Sequence, residues 1–129
     1  MAQTTDRIVV DARGGSLSAQ IDYDEAKALS TSMANVLVID DIGSKKNTTI
    51  IIRLDDGAID GDYQIFTTNK QNPGSTVTED HWFAEVASTA LTHNINVKQR
   101  ISGEFTAIVV QAKADSGTPT LKIWSRSLN

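Results

Sequence analysis

Four aspartates lie close together in the segment RLDDGAIDGDYQI (53–65), and two of them directly precede a glycine. Carboxylate oxygens are the ligands that Ca²⁺ prefers, and an EF-hand loop places them at positions 1, 3 and 5, with glycine at 6 and glutamate at 12. With Asp56 at position 1, Asp60 and Gly61 fit, but Ala58 falls at position 3 and Thr67 at position 12. Two required oxygens are therefore missing, and the loop is not an EF-hand.

A looser calcium site built from Asp55, Asp56, Asp60 and Asp62 stands beside a simpler interpretation. Asp and Gly also favour tight connections for purely conformational reasons. The runs on either side alternate between apolar and polar residues, as strands do. We therefore favour a solvated connection between two strands, at the tip of a β-hairpin or on the rim of a sandwich, over a metal site.

No other pattern in the chain indicates catalysis. His81 and His93 are twelve residues apart and the chain has no cysteine, so no recognised zinc spacing exists. The sequence also lacks the G-x-S-x-G nucleophile elbow and both glycine-rich phosphate loops. We predict a protein that is not an enzyme and has no cofactor or resident metal.

The segment LKIWSRS places a tryptophan among cations. Alternation puts Leu121 and Ile123 on one face of a strand, and Lys122, Trp124 and Arg126 on the other. Either Trp124 is an exposed platform for a sugar ring or a protein contact, or a neighbouring element covers it as ordinary core. Trp82, in DHWFAEV, has the same two interpretations.

Composition narrows the class of protein. A chain of 129 residues fits one domain spanning 1–129, with a short polar N-terminal arm (1–5) and C-terminal tail (126–129). The formal charge of -4 and the scattered Lys and Arg residues disfavour nucleic acid and anionic membranes as partners. The first fifteen residues lack the basic and apolar regions of a secretion signal.

Strands account for most of the chain. Period-2 alternation recurs at spacings near ten residues and predicts an all-β, mainly antiparallel fold, either a β-sandwich or a jelly-roll-like barrel. At most one or two short helices are expected, the better candidate being YDEAKALSTSMAN (23–35), with Asp24 as N-cap. TEDHWFAEVAS fits helix and strand equally. The inward-facing residues are predicted to be Leu17, Ala19, Ile21 and Tyr23; Ile50, Ile52 and Leu54; and Ile95, Val97 and Ile101.

The last part of the chain, GEFTAIVVQAKADSGTPTLKIWSRSLN (103–129), predicts an antiparallel hairpin, because two β-rich runs flank a turn containing Gly117 and Pro119. This segment resembles the closing hairpin of small β-sandwich proteins of tailed bacteriophage particles. The resemblance covers about a fifth of the chain, and its motif also occurs in carbohydrate-binding modules and other jelly rolls. The N-terminal half matches no motif of the group.

The resemblance implies a non-enzymatic structural protein of a bacteriophage virion, most simply a capsid decoration or cement protein. Such a protein is expected to form a homo-oligomer, usually a trimer, and to bind the major capsid protein or another virion protein. It would be assembled in the host cytoplasm and located in the virion. The alternative is a lectin-like carbohydrate-binding β-sandwich that uses an exposed tryptophan.

Overall fold

The computed structural model describes residues 6–11, 18–40, 42 and 45–128, and none of these residues is helical. The described part of the chain therefore contains no helix of the length and hydropathy needed to cross a membrane. It consists of nine strands: β1 (Asp6–Asp11), β2 (Ser18–Ala28), β3 (Ala34–Asp40), β4 (Asn47–Asp55), β5 (Gly61–Thr68), β6 (Phe83–Leu91), β7 (Asn96–Ser102), β8 (Ala107–Ala114) and β9 (Thr120–Leu128).

The strands form two sheets. The five-stranded sheet has the order β1-β2-β9-β4-β7, and the four-stranded sheet has the order β3-β8-β5-β6. All strand pairings within the sheets are antiparallel. From β2 to β9 the chain crosses repeatedly between the sheets, which gives the strand order of a jelly roll with β1 added at one edge. The prediction of an all-β sandwich is confirmed.

The core lies between the two sheets. Ile50, Ile52 and Leu54 of β4 are fully buried, as their alternation predicts. From the opposite sheet, Tyr63 is also fully buried, and its hydroxyl accepts a hydrogen bond of 2.6 Å from Nε2 of Gln99. Each large apolar side chain buried in this way contributes roughly 1.5–3 kcal/mol to stability. The core therefore fixes which face of each strand points outwards.

The orientation predicted for β2 is wrong, although its alternation is correct. Gln20, Asp22 and Asp24 are buried, whereas Ile21 and Tyr23 are half-buried on the outer face. Polar partners explain this arrangement: Asp22 accepts hydrogen bonds from Nε of Arg7 at 2.6 Å and from Nε2 of Gln20 at 3.0 Å. A buried carboxylate needs such partners. Ala19 shares the outer face with Ile21 and Tyr23 although it is buried, and Leu17 lies outside the described residues.

The helix predicted over 23–35 is absent. Strand β2 continues to Ala28 and pairs with β9, and its register shifts between Asp24 and Lys27. Asp24 is no helix cap: its Oδ1 accepts a hydrogen bond from the Ala26 N–H at this bulge. Ala26 and Leu29, whose spacing imitates one face of a helix, lie at the end of β2 and just beyond it, where one inserted residue has broken the period of two. TEDHWFAEVAS is also non-helical, with β6 beginning at Phe83.

The C-terminal hairpin is not formed, although both of its strands exist. Strand β8 lies between β3 and β5, whereas β9 lies between β2 and β4 in the other sheet. Their connection, with Gly117 at a φ of +64°, spans the gap between the sheets, which is roughly 10 Å. The turn residues specified a change of direction but not which strands would pair.

Two further expectations about side chains and ends need correction. Ile101 is buried and Val97 partly buried, but Ile95 precedes β7 and is 54% exposed. The predicted tail at 126–129 belongs to β9 as far as Leu128, and Ser127 is buried with its hydroxyl 2.9 Å from that of Thr48. The N-terminal arm (1–5) lies outside the described residues.

Candidate functional site

The acidic loop joins β4 to β5 and crosses between the sheets, so it is not the tip of a hairpin. Two of its aspartates shape it. Oδ1 of Asp56 accepts hydrogen bonds from the N–H groups of Ala58 and Ile59 at 2.9 and 3.1 Å. Oδ1 of Asp60 accepts two from His93, one from the backbone N–H at 3.0 Å and one involving Nδ1 at 2.6 Å. These donors favour the ionised carboxylates.

The pKa values of both groups follow from these contacts. Backbone hydrogen bonds from Ala58 and Ile59 lower the pKa of Asp56. The backbone N–H of His93, followed by its ring, lowers the pKa of Asp60. Hydrogen bonds to a charged form favour that form over the protonated one. Asp60 thereby ties the connection between β6 and β7 to the connection between β4 and β5.

The other two aspartates of the loop have separate ionic partners. Asp55 lies 3.4 Å from Nζ of Lys122 and 3.7 Å from Nε of Arg53, and Asp62 lies 3.8 Å from Nζ of Lys113. Among the described residues, no group of three or more His, Cys, Asp or Glu side chains could hold a metal ion. The four carboxylates are dispersed over different partners, which favours the structural interpretation of this loop.

The glycine that suggested a calcium loop also has a packing reason. A Cβ atom on Gly61 would lie 2.1 Å from the carbonyl oxygen of Lys113 in the neighbouring strand. That distance is far inside van der Waals contact. Gly61 is therefore required by the close approach of β5 and β8.

Trp82 is half-buried at the end of the loop before β6. Its indole N–H is buried and has no hydrogen-bond partner among the described residues, and its ring lies 5.5 Å from that of His81 at an angle of 38°. Nδ1 of His81 is 3.0 Å from the Thr68 hydroxyl. These contacts assign both side chains to the packing of the loop before β6.

Trp124 lies in a different environment, on the outer face of the five-stranded sheet. Leu121 and Ile123 are fully buried on the other face, as the alternation of β9 predicts. The direct neighbours of Trp124 across the sheet are Tyr23 of β2 and Ile51 of β4. Trp124 is half-buried, and within the described part of the chain its ring stacks on no other aromatic ring and its indole N–H has no partner.

A groove of about 740 Å³ runs beside Trp124. Its apolar lining comes mainly from Ile21, Ile51 and Leu128, and polar groups border it. This volume lies within the range of pockets that hold small molecules, about 300–1,000 Å³. Arg100 and Arg126 also line it. The groove therefore combines an aromatic ring, an apolar floor and two guanidinium groups.

The cations of this face are more concentrated than the sequence indicates. Arg53 of β4, Lys98 and Arg100 of β7, and Lys122 and Arg126 of β9 occupy outward positions, five of the 12 basic residues of the chain. Lys98, Arg100 and Arg126 have no carboxylate within 4.0 Å among the described residues. Sequence reasoning took the cations as scattered. The signal that was missed is that all five alternate with the inward-facing residues of their strands. They therefore lie on one face once β4, β7 and β9 pair in one sheet.

Strand β6 is a second unusual surface, because it forms the edge of the four-stranded sheet and is open on both faces. Seven of its nine side chains are exposed, and only Leu91 is buried. Phe83 at its start is 65% exposed, and Ile95, beyond its other end, is 54% exposed. An edge strand with exposed apolar residues is a ready template for contact with another chain.

Comparisons with known proteins add no family. No protein-family model and no curated protein matches the chain. A solved structure of Bacillus endospore appendages, described as disulfide-linked pili, is similar with a TM-score of 0.44 and 12% identity, covering 96% of this chain and 86% of that one.

Two further solved structures are similar at the same level. The CBM22-1 xylan-binding domain of Paenibacillus barcinonensis Xyn10C gives a TM-score of 0.41 and 10% identity, covering 99% of this chain and 84% of that one. A chain of infectious bursal disease virus, Gx strain, gives 0.36 and 11%, covering 98% of this chain and 32% of that one. At these scores no functional conclusion follows.

Proposed function

We propose that this protein is a non-enzymatic structural protein of a bacteriophage virion, a capsid decoration protein that oligomerises on the shell. The observation that carries the assembly role is the open edge at β6, where seven of nine side chains are exposed. The assignment to a virion rests on the resemblance of residues 103–129 to phage β-sandwich proteins. The proposed location is the virion, and the partners are further copies of the chain and the major capsid protein.

The composition of β6 supports this role. Its only charged residue is Glu85, and it has no Lys, Arg or Pro. Soluble proteins commonly protect an exposed edge with such residues. Strand β7, the corresponding edge of the other sheet, carries Lys98 and Arg100. Register shifts around Ile65 interrupt the pairing of β5 with β6, so the regular part available to a partner is short.

The exposed apolar side chains fit the same role. Phe83 and Ile95 lie near opposite ends of β6, and each is more than half exposed. In a trimer each copy contacts the next through two different patches of its surface, so apolar residues near both ends of β6 can be covered. Burying these side chains against another copy would remove their apolar area from water, which would stabilise the contact by about 25 cal/mol for each Å² buried.

Sedimentation of the isolated protein tests the assembly role. We expect a stable oligomer, most simply a trimer, that binds purified capsids. Ala87→Lys, at an exposed position in the middle of β6, should weaken the oligomer, whereas the control Ser102→Lys, exposed at the end of β7, should not. A strictly monomeric protein that also fails to bind capsids would contradict the proposal.

The groove beside Trp124 favours a second candidate function, carbohydrate binding. A half-buried tryptophan in an open groove presents a flat apolar face, which suits the apolar face of a sugar ring. Adding a glycan should shift tryptophan fluorescence in Trp82→Phe, which retains Trp124, and not in Trp124→Phe. A shift that survives in Trp124→Phe would exclude the groove as the site.

A further inference from the structure

The cations around the groove narrow the class of its ligand. Arg100 and Arg126 line the groove and have no carboxylate partner in the described part of the chain. Both are exposed, and the indole N–H of Trp124 is likewise unpartnered among the described residues. Arginine presents a planar fork of N–H donors that matches a carboxylate in a bidentate arrangement. The unpaired donors therefore call for an anion.

A small anion that carries only charged groups does not match this groove, because its lining is largely apolar and includes a tryptophan. Ile21, Ile51 and Leu128 form a floor that a hydrated anion would leave uncovered. A ring with an apolar face would cover that floor and stack on Trp124, while its carboxylate reaches the arginines. Hexuronic acids, sugars whose C6 is a carboxylate, join these two features in one unit.

The distribution of charge directs such a ligand to this face. The chain as a whole has a formal charge of -4, although five of its 12 basic residues lie on the outer face of the five-stranded sheet. The remaining surface therefore carries a net charge more negative than the -4 of the whole chain, and it repels a polyanion. Electrostatic complementarity of this kind raises the association rate and suppresses wrong orientations.

We propose that the groove bordered by Trp124, Arg100 and Arg126 binds an acidic polysaccharide rich in uronic acids. The proposal rests on carbohydrate binding, the second candidate function, and names its ligand class. It is independent of the open edge at β6. A decoration protein with such a groove would attach a particle to acidic surface glycans.

Calorimetric titration with oligogalacturonate tests the proposal, and the methyl-esterified oligomer is the matched neutral ligand. We expect the acid form to bind, the ester to bind at least about tenfold more weakly, and Arg100→Gln and Arg126→Gln each to lose roughly tenfold, because glutamine cannot replace the charged hydrogen bonds from a guanidinium to the carboxylate. Lys70→Gln, exposed in the loop after β5, is the control and should bind as the parent protein does.

Each other outcome contradicts the proposal in a different way. If the ester binds equally well and the arginine variants are unaffected, the groove binds carbohydrate but not through the arginines, and only this inference fails. If neither oligomer nor a neutral xylan or glucan oligomer binds, carbohydrate binding fails with it. If poly-glutamate or single-stranded DNA binds as tightly, and Trp124→Phe leaves binding unchanged, the face recognises charge alone and the inference is overturned.

Discussion

The outer faces of the two sheets use polar residues in opposite ways. On the four-stranded sheet, side-chain amides satisfy each other across three strands: Gln64 donates to Gln111 at 2.7 Å and Gln111 donates to Asn35 at 2.9 Å. Asn35 in turn donates to the carbonyl of Ser75, which ties the loop before β6 to this face. On the five-stranded sheet, Arg100 and Arg126 point outwards with no such partners among the described residues.

The difference separates a structural face from a binding face. A polar group that already has its hydrogen bonds gains little from a ligand, whereas an unpaired donor beside an apolar groove gains a full interaction. Val109, on the outer face of the four-stranded sheet, is fully buried, but Ile51, on the outer face of the other sheet, is only half-buried. Substitutions should therefore affect stability on one face and binding on the other.

The largest effect is expected from an aspartate placed on each face. Val109→Asp puts an unpaired charge at a fully buried site and should cost about 3–5 kcal/mol of the free energy of unfolding. Ile51→Asp should cost about 1 kcal/mol, because its charge reaches the solvent of the groove. Both positions lie in central strands, so the low strand propensity of aspartate affects the two variants equally and cancels when their losses are compared. Urea denaturation measures the two values, and equal losses would contradict the distinction between the faces.

A smaller effect is expected from removing one polar side chain on each face. Gln111→Ala leaves the Gln64 amide without its acceptor and the Oδ1 of Asn35 without its donor, and should cost about 1–2 kcal/mol. Arg126→Ala removes an exposed side chain without a carboxylate partner in the described residues and should change stability by less than about 0.5 kcal/mol. Thermal unfolding of both variants at one pH compares them. A larger loss for Arg126→Ala would show that its guanidinium has a structural partner.

The sequence could predict the strands but not which of their faces is buried or which strands pair. Alternation located β4 and β9 and the correct inward residues Ile52 and Ile123, because in these strands the apolar set is the one that packs in the core. In β2 the same alternation was assigned to the wrong face, since the buried residues are Asp22 and its neighbours, stabilised by partners distant in the chain. Burial of paired polar groups depends on tertiary contacts, which a local pattern does not contain.

The candidate sites show the same division. Trp124 and Leu121 lie on opposite faces of β9, and this follows from the alternation of that strand alone, so it was predictable. The gathering of cations around it was not, because Arg100 and Arg126 become neighbours only through the pairing of β7 and β9 with β4. Likewise, the acidic loop resembled a metal site until His93 provided the partner of Asp60.

Iodide quenching compares the two tryptophans directly. In Trp82→Phe the remaining Trp124 lies in an open groove beside cations, which attract the iodide anion, so its fluorescence should be strongly quenched. In Trp124→Phe the remaining Trp82 is also half-buried, but its indole N–H is buried and it follows Glu79 and Asp80, which repel iodide, so its fluorescence should be quenched less. Neutral acrylamide separates accessibility from charge: the contrast between the variants should shrink but persist. Equal quenching by iodide would show that the groove is closed in solution.

The smallest effect is expected at the rim that joins the sheets. Because His93 lowers the pKa of Asp60 in the folded protein, this carboxylate contributes stability above its unfolded pKa, and the contribution is lost as pH falls through the folded pKa. Asp60→Asn should therefore lower the melting temperature at pH 7 and reduce the further drop between pH 5 and 3. Added Ca²⁺ should leave the melting temperature of the parent protein unchanged, since Oδ1 of Asp60 already has two donors. A rise with Ca²⁺ that Asp60→Asn abolishes would restore the loop as a metal site.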